Sequence, residues 1–228
     1  MITIDTIKAR HSVRQYIEDG LAPEELEALS AAVDDVCAKS GLNIQLVADN
    51  PQVFDVVASF GVIHGCSTSL AFVTSGKEQD VAIGYWGQHL VLTAQELGLN
   101  TCWVALCSRK KSHADLPAGH KVRLVVAVGH GVNGGKPRDT KPASALAAFQ
   151  GEGAAPAWFD AAVEAAQLAP TAVNAQSFFI TLLPDGKTVR AEAQAKAWRQ
   201  VDLGIVRYNF EVAANQLGAD WQWENPLP

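Results

Sequence analysis

The chain has 228 residues, of which 48% are hydrophobic and 18% are charged, so it is long enough for a globular protein with a substantial core. Its net charge of −6 disfavours broad binding to nucleic acid or to an anionic membrane surface. Charges recur through the N-terminal residues, and no uncharged apolar run approaches the roughly 18 residues of a membrane span. We therefore expect a cytoplasmic protein.

The spacing of apolar residues predicts alternating helices and strands. A helix over 24–39 begins after Pro23 and stops at Gly41, and a long amphipathic helix over 81–97 stops at Gly98. Other predicted segments are a short arginine-rich helix over 2–16, a helical stretch over 51–64, and strands over 44–48, 69–74, 102–106, 122–128 and 178–183.

Residues 131–155 are rich in Gly, Pro, Lys and Ala, and they form the predicted long connection. After this connection the pattern restarts, because residues 161–164 echo residues 31–34. The stretch 204–223 also matches 84–103 under one fixed offset, at Gly84/Gly204, Ala94/Ala214, Leu97/Leu217, Gly98/Gly218 and Trp103/Trp223. We interpret this as a degenerate internal repeat, although two helices that both end in Leu-Gly look alike by chemistry alone.

Several common sites are not supported by the sequence. The four cysteines make no Cys-x-x-Cys pair and are expected to be buried thiols, and the six histidines lack metal-ligand spacing. No G-x-S-x-G elbow is present. Residues 129–134 fit G-x-G-x-x-G, but Gly135, Pro137 and Pro142 prevent the helix that a dinucleotide fingerprint needs.

Two basic segments could bind an anion. On the predicted first helix, Arg10 and Arg14 would project from one face with Ser12 beside them, and the alternative is a solvated charged face. Lys136, Arg138 and Lys141 follow the strand over 122–128 in a loop whose backbone N–H groups could also hold a phosphate, and the alternative is a polar loop.

A third segment offers amide groups. Asn174 and Gln176 follow Pro170 at the start of a predicted strand, and an amide both donates and accepts hydrogen bonds, as the polar edge of a flavin ring requires. The alternative is a turn in which the amides satisfy their own backbone.

Together these segments resemble the FMN-dependent nitroreductase family. The similar features are Arg10-His11-Ser12-Val13-Arg14, Ala169-Pro170-Thr171 through Asn174 and Gln176, the helix end and strand over 95–103, and the strand end over 126–129 with Arg138 beyond it. The resemblance implies an α+β nitroreductase-like fold, with a central mostly antiparallel sheet and helices on both faces. Because the motifs are divided between halves 1–147 and 148–228, the chain is similar to single-chain, fused pseudo-dimer nitroreductases and is expected to be a monomer.

The resemblance also implies the cofactor site. Arg10 and Ser12 would hold the FMN phosphate and ribityl chain with Arg138, Arg14 would approach the ribityl or pyrimidine edge, and backbone N–H groups near Ala105 and Leu106 would point at flavin N5. The full expected cofactor-binding set is Arg10, His11, Ser12, Arg14, Ala105, Leu106, Arg138, Asn174 and Gln176. Departures from the family pattern at Thr171, Ser177 and Leu106-Cys107 would narrow the substrate pocket.

The expected activity is hydride transfer from NAD(P)H through FMN to a small electron-poor acceptor, such as a nitroaromatic or a quinone, in ping-pong order. No residue is expected to act as a general acid. Two alternatives are a flavin-binding or sensory protein with little turnover, and a non-flavin α+β protein whose motif matches are accidental.

Overall fold

The structure is a computed structural model that describes residues 1–55, 63–194 and 199–226. No helix among these residues is long and apolar enough to cross a membrane. The helices are α1 (Ile4–Ala9), α2 (Pro23–Ser40), α3 (Asp80–Glu96), α4 (Ala157–Gln167) and α5 (Arg199–Gln216), and the strands are β1 (Asn43–Val47), β2 (Thr68–Thr74), β3 (Asn100–Val104), β4 (Lys121–Gly129), β5 (Ala147–Phe149), β6 (Phe178–Leu182), β7 (Thr188–Ala193) and β8 (Gln222–Trp223).

The chain forms two compact units that are interleaved in sequence. The first unit contains Met1–Lys8, Asp80–His89 and Arg138–Pro228, and the second contains Ala9–Gln79 and Leu90–Pro137. This division does not follow the boundary at residue 147, and the organisation into halves 1–147 and 148–228 stays a prediction.

The second unit contains an antiparallel sheet with the strand order β1-β2-β4-β3. Strand β2 is buried along its whole length, as its Val, Phe and Leu content favours. Helix α2 packs beside β1 and buries Leu29, Val33 and Val36 at helical spacing. Between the pairs Phe72–Leu124 and Val73–Val122 the register shifts, so the chain has a β-bulge at Arg123.

The first unit contains a mixed sheet with the order β5-β6-β7-β8. Strands β6 and β7 are antiparallel, whereas β5 and β8 run parallel to their neighbours. The family resemblance implied one central sheet, whereas the described residues form two four-stranded sheets. Within the described residues, β4 lies between β2 and β3 in the second unit, whereas β7 and β8 of the first unit are direct neighbours.

Two glycines set the packing of α3 against α5 in the first unit. A Cβ atom on Gly84 would lie 2.0 Å from the Val201 carbonyl oxygen, and one on Gly204 would lie 2.0 Å from the Val81 carbonyl oxygen. One offset in sequence relates both pairs, Gly84 to Gly204 and Val81 to Val201, so the contact is reciprocal. The two backbones therefore touch at a point where only glycine fits.

Polar pairs continue this helix contact. Gln88 Nε2 donates to Asn209 Oδ1 at 3.0 Å, and His89 Nδ1 lies 2.6 Å from the Tyr208 hydroxyl. Burial raises the pKa of Tyr208, so its hydroxyl stays neutral over the physiological range. Both pairs satisfy polar groups between the packed helices.

Some predicted elements needed correction. The helix predicted over 2–16 ends at Ala9, and Ser12, Gln15 and Tyr16 instead form isolated β-bridges. Of the helical stretch over 51–64, Pro51–Phe54 is a 3₁₀ turn and residues 56–62 lie outside the described residues. The connection over 131–155 contains the short strand β5, which pairs with β6.

Candidate functional site

The segment from Arg10 to Tyr16 is extended and belongs to the second unit. The Val13 N–H donates to the Thr101 carbonyl at 3.0 Å, and the Tyr16 N–H donates to the His64 carbonyl at 2.9 Å. The side chains of Val13 and Tyr16 are buried, whereas Arg14 is exposed. The buried side chains of Val13 and Tyr16 and these main-chain bonds hold the segment beside β3. The prediction that Arg10 and Arg14 project from one face of a helix is therefore wrong.

The positive charges of Arg10 and Arg14 nevertheless both act on the Cys102 thiol. Burial raises the pKa of the Cys102 thiol, and the positive charges of Arg14 and Arg10 oppose this shift. Cys102 lies in β3, and Arg10 is only 2% exposed. The extended segment therefore directs positive charge towards this strand, which is the electrostatic property that an anion site requires.

A glycine-rich loop after β4 packs closely on the same segment. Gly135 has a φ of +78°, and a Cβ on it would lie 2.8 Å from Cβ of His11. A Cβ on Gly131 would lie 2.6 Å from Oδ1 of Asn100. No helix begins in this loop, so the glycines serve close packing, and the rejection of a dinucleotide fingerprint is confirmed.

Ala105 and Leu106 directly follow β3. Within the described part of the chain, neither main-chain N–H donates a hydrogen bond. Leu106 is 53% exposed, so these donors lie next to an open surface. The Ala105 carbonyl accepts a hydrogen bond from Nη2 of Arg109 at 3.4 Å.

In the first unit, the loop that carries Asn174 is joined to the segment after Arg138. Asn174 Nδ2 donates to the Asp139 carbonyl at 2.9 Å, and Lys141 Nζ donates to the Ala175 carbonyl at 2.8 Å. Arg138 and Asn174, far apart in sequence, therefore belong to two loops that are bonded to each other.

The Gln176 side chain is buried and bonded within the loop. Its side chain is 3% exposed, its Oε1 accepts from the Lys141 N–H at 2.9 Å, and its Nε2 donates to the Asp139 carbonyl at 3.0 Å. Both polar atoms are thus bonded to main chain. These bonds fix the amide within the loop, and their partners lie far away in sequence instead of in its own turn. That Gln176 contributes to a cofactor site stays a prediction.

The Asn174 loop is strained. Val173, Asn174 and Gln176 have φ values of 49°, 52° and 43°, and Val173 is 94% exposed. A β-branched residue seldom has a positive φ, and such backbone persists only where its surroundings fix it.

Asp202, in the first turn of α5, supplies part of this restraint. Its Oδ1 accepts the Ala172 N–H at 3.0 Å, and its Oδ2 lies 3.5 Å from Nη1 of Arg199. Burial raises the pKa of Asp202 to about 6, although the bond from Ala172 and the charge of Arg199 act against this. The carboxyl thus anchors the loop from a buried position.

The predicted residues fall in both units. Arg10, His11, Ser12, Arg14, Ala105 and Leu106 belong to the second unit, and Arg138, Asn174 and Gln176 belong to the first. That the two groups bind one ligand stays a prediction.

Comparison with known proteins gives the family. A family model described as "Putative TM nitroreductase" matches residues 3–214. The chain belongs to the nitroreductase family. Among solved structures, a "putative nitroreductase" from Thermotoga maritima MSB8 has a TM-score of 0.67 and 20% identity, and the match covers 95% of this chain and 85% of that one. The nitroreductase-like α+β fold, with an antiparallel sheet and helices, is thereby confirmed.

Other nitroreductase structures resemble smaller parts of the chain. Nitroreductase A from Vibrio parahaemolyticus RIMD 2210633 has a TM-score of 0.50 and 17% identity, and the match covers 63% of this chain and 73% of that one. An FMN-dependent nitroreductase from Clostridium difficile R20291 has a TM-score of 0.45 and 18% identity over 63% of this chain and 94% of its own. No match was found among curated proteins.

Two features of this nitroreductase were missed in the sequence. Asp202 has no distinguishing signal, since an acidic residue in a first helical turn is common. The run Arg109-Lys110-Lys111 was a usable signal, because three adjacent cations are unusual in a chain with a net charge of −6. All four cysteines are free, and Cys66, Cys102 and Cys107 are buried as expected, whereas Cys37 is only partly buried. Burial raises the pKa of Cys66 to about 12, so that thiol is unreactive.

Proposed function

We propose that this protein is an FMN-dependent oxidoreductase that passes hydride from NAD(P)H to a small electron-poor acceptor, such as a nitroaromatic or a quinone. The observation that carries this proposal is membership of the nitroreductase family over residues 3–214. When bound, FMN would supply the redox chemistry by accepting hydride and releasing it in two separate half-reactions.

The described residues of the second unit fit such a cofactor. Arg10, Ser12 and Arg14 would hold the phosphate and ribityl chain with His11 beside them, because buried and exposed arginines here direct charge to one strand. The N–H groups of Ala105 and Leu106, which donate no hydrogen bond to any described residue, would donate to N5.

The first unit would contribute Arg138 and Asn174. Their loops are bonded together through the Asp139 carbonyl, so the backbone beside Arg138 is fixed to the Asn174 amide. Gln176 would act by fixing this loop.

The chain's own residues would act mainly through electrostatics. Main-chain donors at Ala105 and Leu106 and positive charge from Arg10 and Arg14 would stabilise negative charge that develops on the ring system, and fixed donors do so without reorganisation. No side chain is assigned as a general acid, and water would supply protons.

We also propose that the chain is a fused, degenerate pseudo-dimer with one FMN per chain. The reciprocal approach of Gly84 and Gly204 supports this, because an isologous contact between two copies has this form. The element order supports it too, since α2-β1-β2-α3-β3 is followed, after β4 and β5, by the similar series α4-β6-β7-α5-β8 among the described residues.

The test of the activity is stopped-flow mixing of the FMN-loaded protein with NADH and, separately, with NADPH under anaerobic conditions. We expect rapid bleaching of the flavin with at least one nucleotide, and reoxidation when a nitroaromatic or a quinone is added. A flavin that stays oxidised with both nucleotides would contradict the proposal and favour a flavin-binding or sensory protein.

The test of the site is FMN retention in Asn174→Ala and Arg14→Gln. Each change removes a proposed ligand, so we expect FMN affinity to fall by roughly tenfold, as the loss of one charge-assisted or polar contact produces. Asn43→Ala, which removes an amide from β1, is the control and should retain FMN. Wild-type retention in both site variants, with unchanged circular dichroism, would overturn the assignment.

A further inference from the structure

A basic turn lies directly after the two residues proposed to face flavin N5. Arg109–Lys111 form a 3₁₀ turn between Ser108 and Ser112, and all three cations are exposed. We call residues 108–112 the basic turn. It belongs to the second unit, together with Ala105 and Leu106.

The main chain of the basic turn is pinned. The Ser108 N–H donates to the Val53 carbonyl at 2.9 Å, and Asn50 Nδ2 donates to the Lys111 carbonyl at 2.7 Å. Lys111 Nζ bonds to Oδ2 of Asp55 at 2.7 Å. These contacts fix the direction of the turn and neutralise one of its three charges.

The other two cations are not neutralised. Nη2 of Arg109 lies 3.4 Å from the carbonyl oxygens of Ala105 and Arg123, and Arg123 is the bulge residue of β4. Across the described ranges, neither Arg109 nor Lys110 forms an ion pair with a carboxylate. Neutral carbonyls orient the Arg109 guanidinium but leave its charge uncompensated.

The positive charge of Arg109 also acts on the neighbouring Cys107 thiol. Burial raises the pKa of the Cys107 thiol, and the positive charge of Arg109 opposes that shift. The bulge at Arg123 leaves a carbonyl outside the regular β2–β4 pairing, and bulges often redirect groups beside functional sites.

We propose that Arg109 and Lys110 bind the 2′-phosphate of NADPH and so select NADPH over NADH. This inference rests on the proposed function, in which a nicotinamide nucleotide delivers hydride beside Ala105 and Leu106. A phosphate monoester carries a charge of about −1.5 to −2 at pH 7, which matches the two uncompensated cations. Guanidinium and ammonium groups are the side chains that recognise phosphate.

The experiment compares the wild type with the double variant Arg109→Gln/Lys110→Gln in the FMN-loaded protein. Anaerobic titration gives the dissociation constants of NADPH and NADH. We expect NADPH affinity to fall by at least about tenfold, because two charge-assisted contacts are lost, while NADH affinity is unchanged. The control Lys39→Gln/Lys77→Gln removes two exposed lysines of the same unit and should change neither constant by more than about twofold. An equal loss for both nucleotides, or no loss for NADPH, would overturn the inference.

A second measurement separates this inference from the proposed function. Isothermal titration calorimetry of the holoprotein with 2′,5′-ADP and with 5′-AMP needs no hydride transfer. We expect 2′,5′-ADP to bind more tightly than 5′-AMP, and this preference should disappear in the double variant. If the preference exists but neither NADPH nor NADH reduces the flavin, the phosphate-binding role of the basic turn is supported and the proposed activity is contradicted. If the flavin is reduced but the preference is absent, the proposed activity is supported and the phosphate-binding role of the basic turn is contradicted.

Discussion

At the scale of single residues, a buried carboxyl restrains the strained loop that carries Asn174. Asp202 accepts the Ala172 N–H, and Val173 has a φ of 49° although it is β-branched and exposed. A positive φ costs a residue with a Cβ roughly 1–2 kcal/mol. The Asp202 anchor and the Gln176 bonds offset this cost by fixing both ends of the loop.

Asp202 should also give the free energy of unfolding a defined pH dependence. Because burial raises its pKa to about 6, the folded state binds a proton more tightly than the unfolded state. Its contribution is therefore present below the pKa of the unfolded chain and is lost as the pH rises through about 6. One pKa unit corresponds to about 1.4 kcal/mol, so the loss is up to about 3 kcal/mol.

Urea denaturation of the wild type and Asp202→Asn between pH 4 and pH 7 measures this pH dependence of the free energy of unfolding. The amide can still accept the Ala172 N–H but does not titrate, so the variant should gain stability relative to the wild type as the pH rises. Asp160→Asn, an exposed acid in the first turn of α4, is the control and should show no such trend. A pH-independent difference between the wild type and Asp202→Asn would contradict the prediction.

At the scale of secondary-structure elements, the contact of α3 with α5 depends on the missing side chains of Gly84 and Gly204. A Cβ at either position would lie 2.0 Å from a backbone carbonyl oxygen, which a rotamer change cannot relieve. We expect Gly84→Ala and Gly204→Ala each to cost at least about 3 kcal/mol, since overpacking against backbone forces the helices apart.

The control for this contact is Gly134→Ala. A Cβ there would meet no atom within 4 Å, so the change should be nearly neutral. Thermal denaturation monitored by circular dichroism compares the three variants, and a small loss at Gly84 equal to that at Gly134 would show that the helices do not meet as described.

A histidine joins the start of α2 to the end of β4. His130 Nδ1 lies 3.1 Å from Oδ2 of Asp19, and its Nε2 lies 3.0 Å from Oε1 of Glu25. Hydrogen bonds to Glu25 and Asp19 raise the pKa of His130, so the stabilisation is present below its ordinary pKa and is lost as the pH rises through the raised value.

We expect His130→Asn to be less stable than the wild type at pH 5.5, by no more than about 1 kcal/mol because the three side chains are partly exposed to solvent. The difference should vanish at pH 9. Guanidinium denaturation at both pH values measures it, with His120→Asn as the control because, among the described residues, that ring is hydrogen-bonded to the Ala118 carbonyl alone. An equal difference at both values would assign the effect to packing instead of charge.

At the scale of the whole molecule, the fused pseudo-dimer proposal predicts one FMN per chain and a monomer. Native mass spectrometry of the purified holoprotein should give a mass near 24.3 kDa plus one FMN. FMN added in excess should raise the unfolding temperature, because a ligand that binds only the folded state stabilises it by mass action. Two FMN molecules per chain, or a dimer that dissociates when FMN is removed, would contradict the single-site arrangement.

Some features were predictable from local sequence alone. Helices α2 and α3 and strands β2 and β4 were found because their apolar periods and glycine stops act within a few residues. The family resemblance could likewise be recognised, since its motifs are short segments that are identified by residue type and spacing. These signals do not depend on which parts of the chain meet.

Only the tertiary structure decided the remaining features. The segment after Ala9 is extended because its N–H groups donate to the carbonyls of Thr101 and His64, and the Gln176 amide is held because it bonds to the main chain of Asp139 and Lys141. Asp202 became an anchor because it is buried beside Ala172. In each case the partner is distant in sequence, so burial and hydrogen bonding, which local propensity does not encode, determined the outcome.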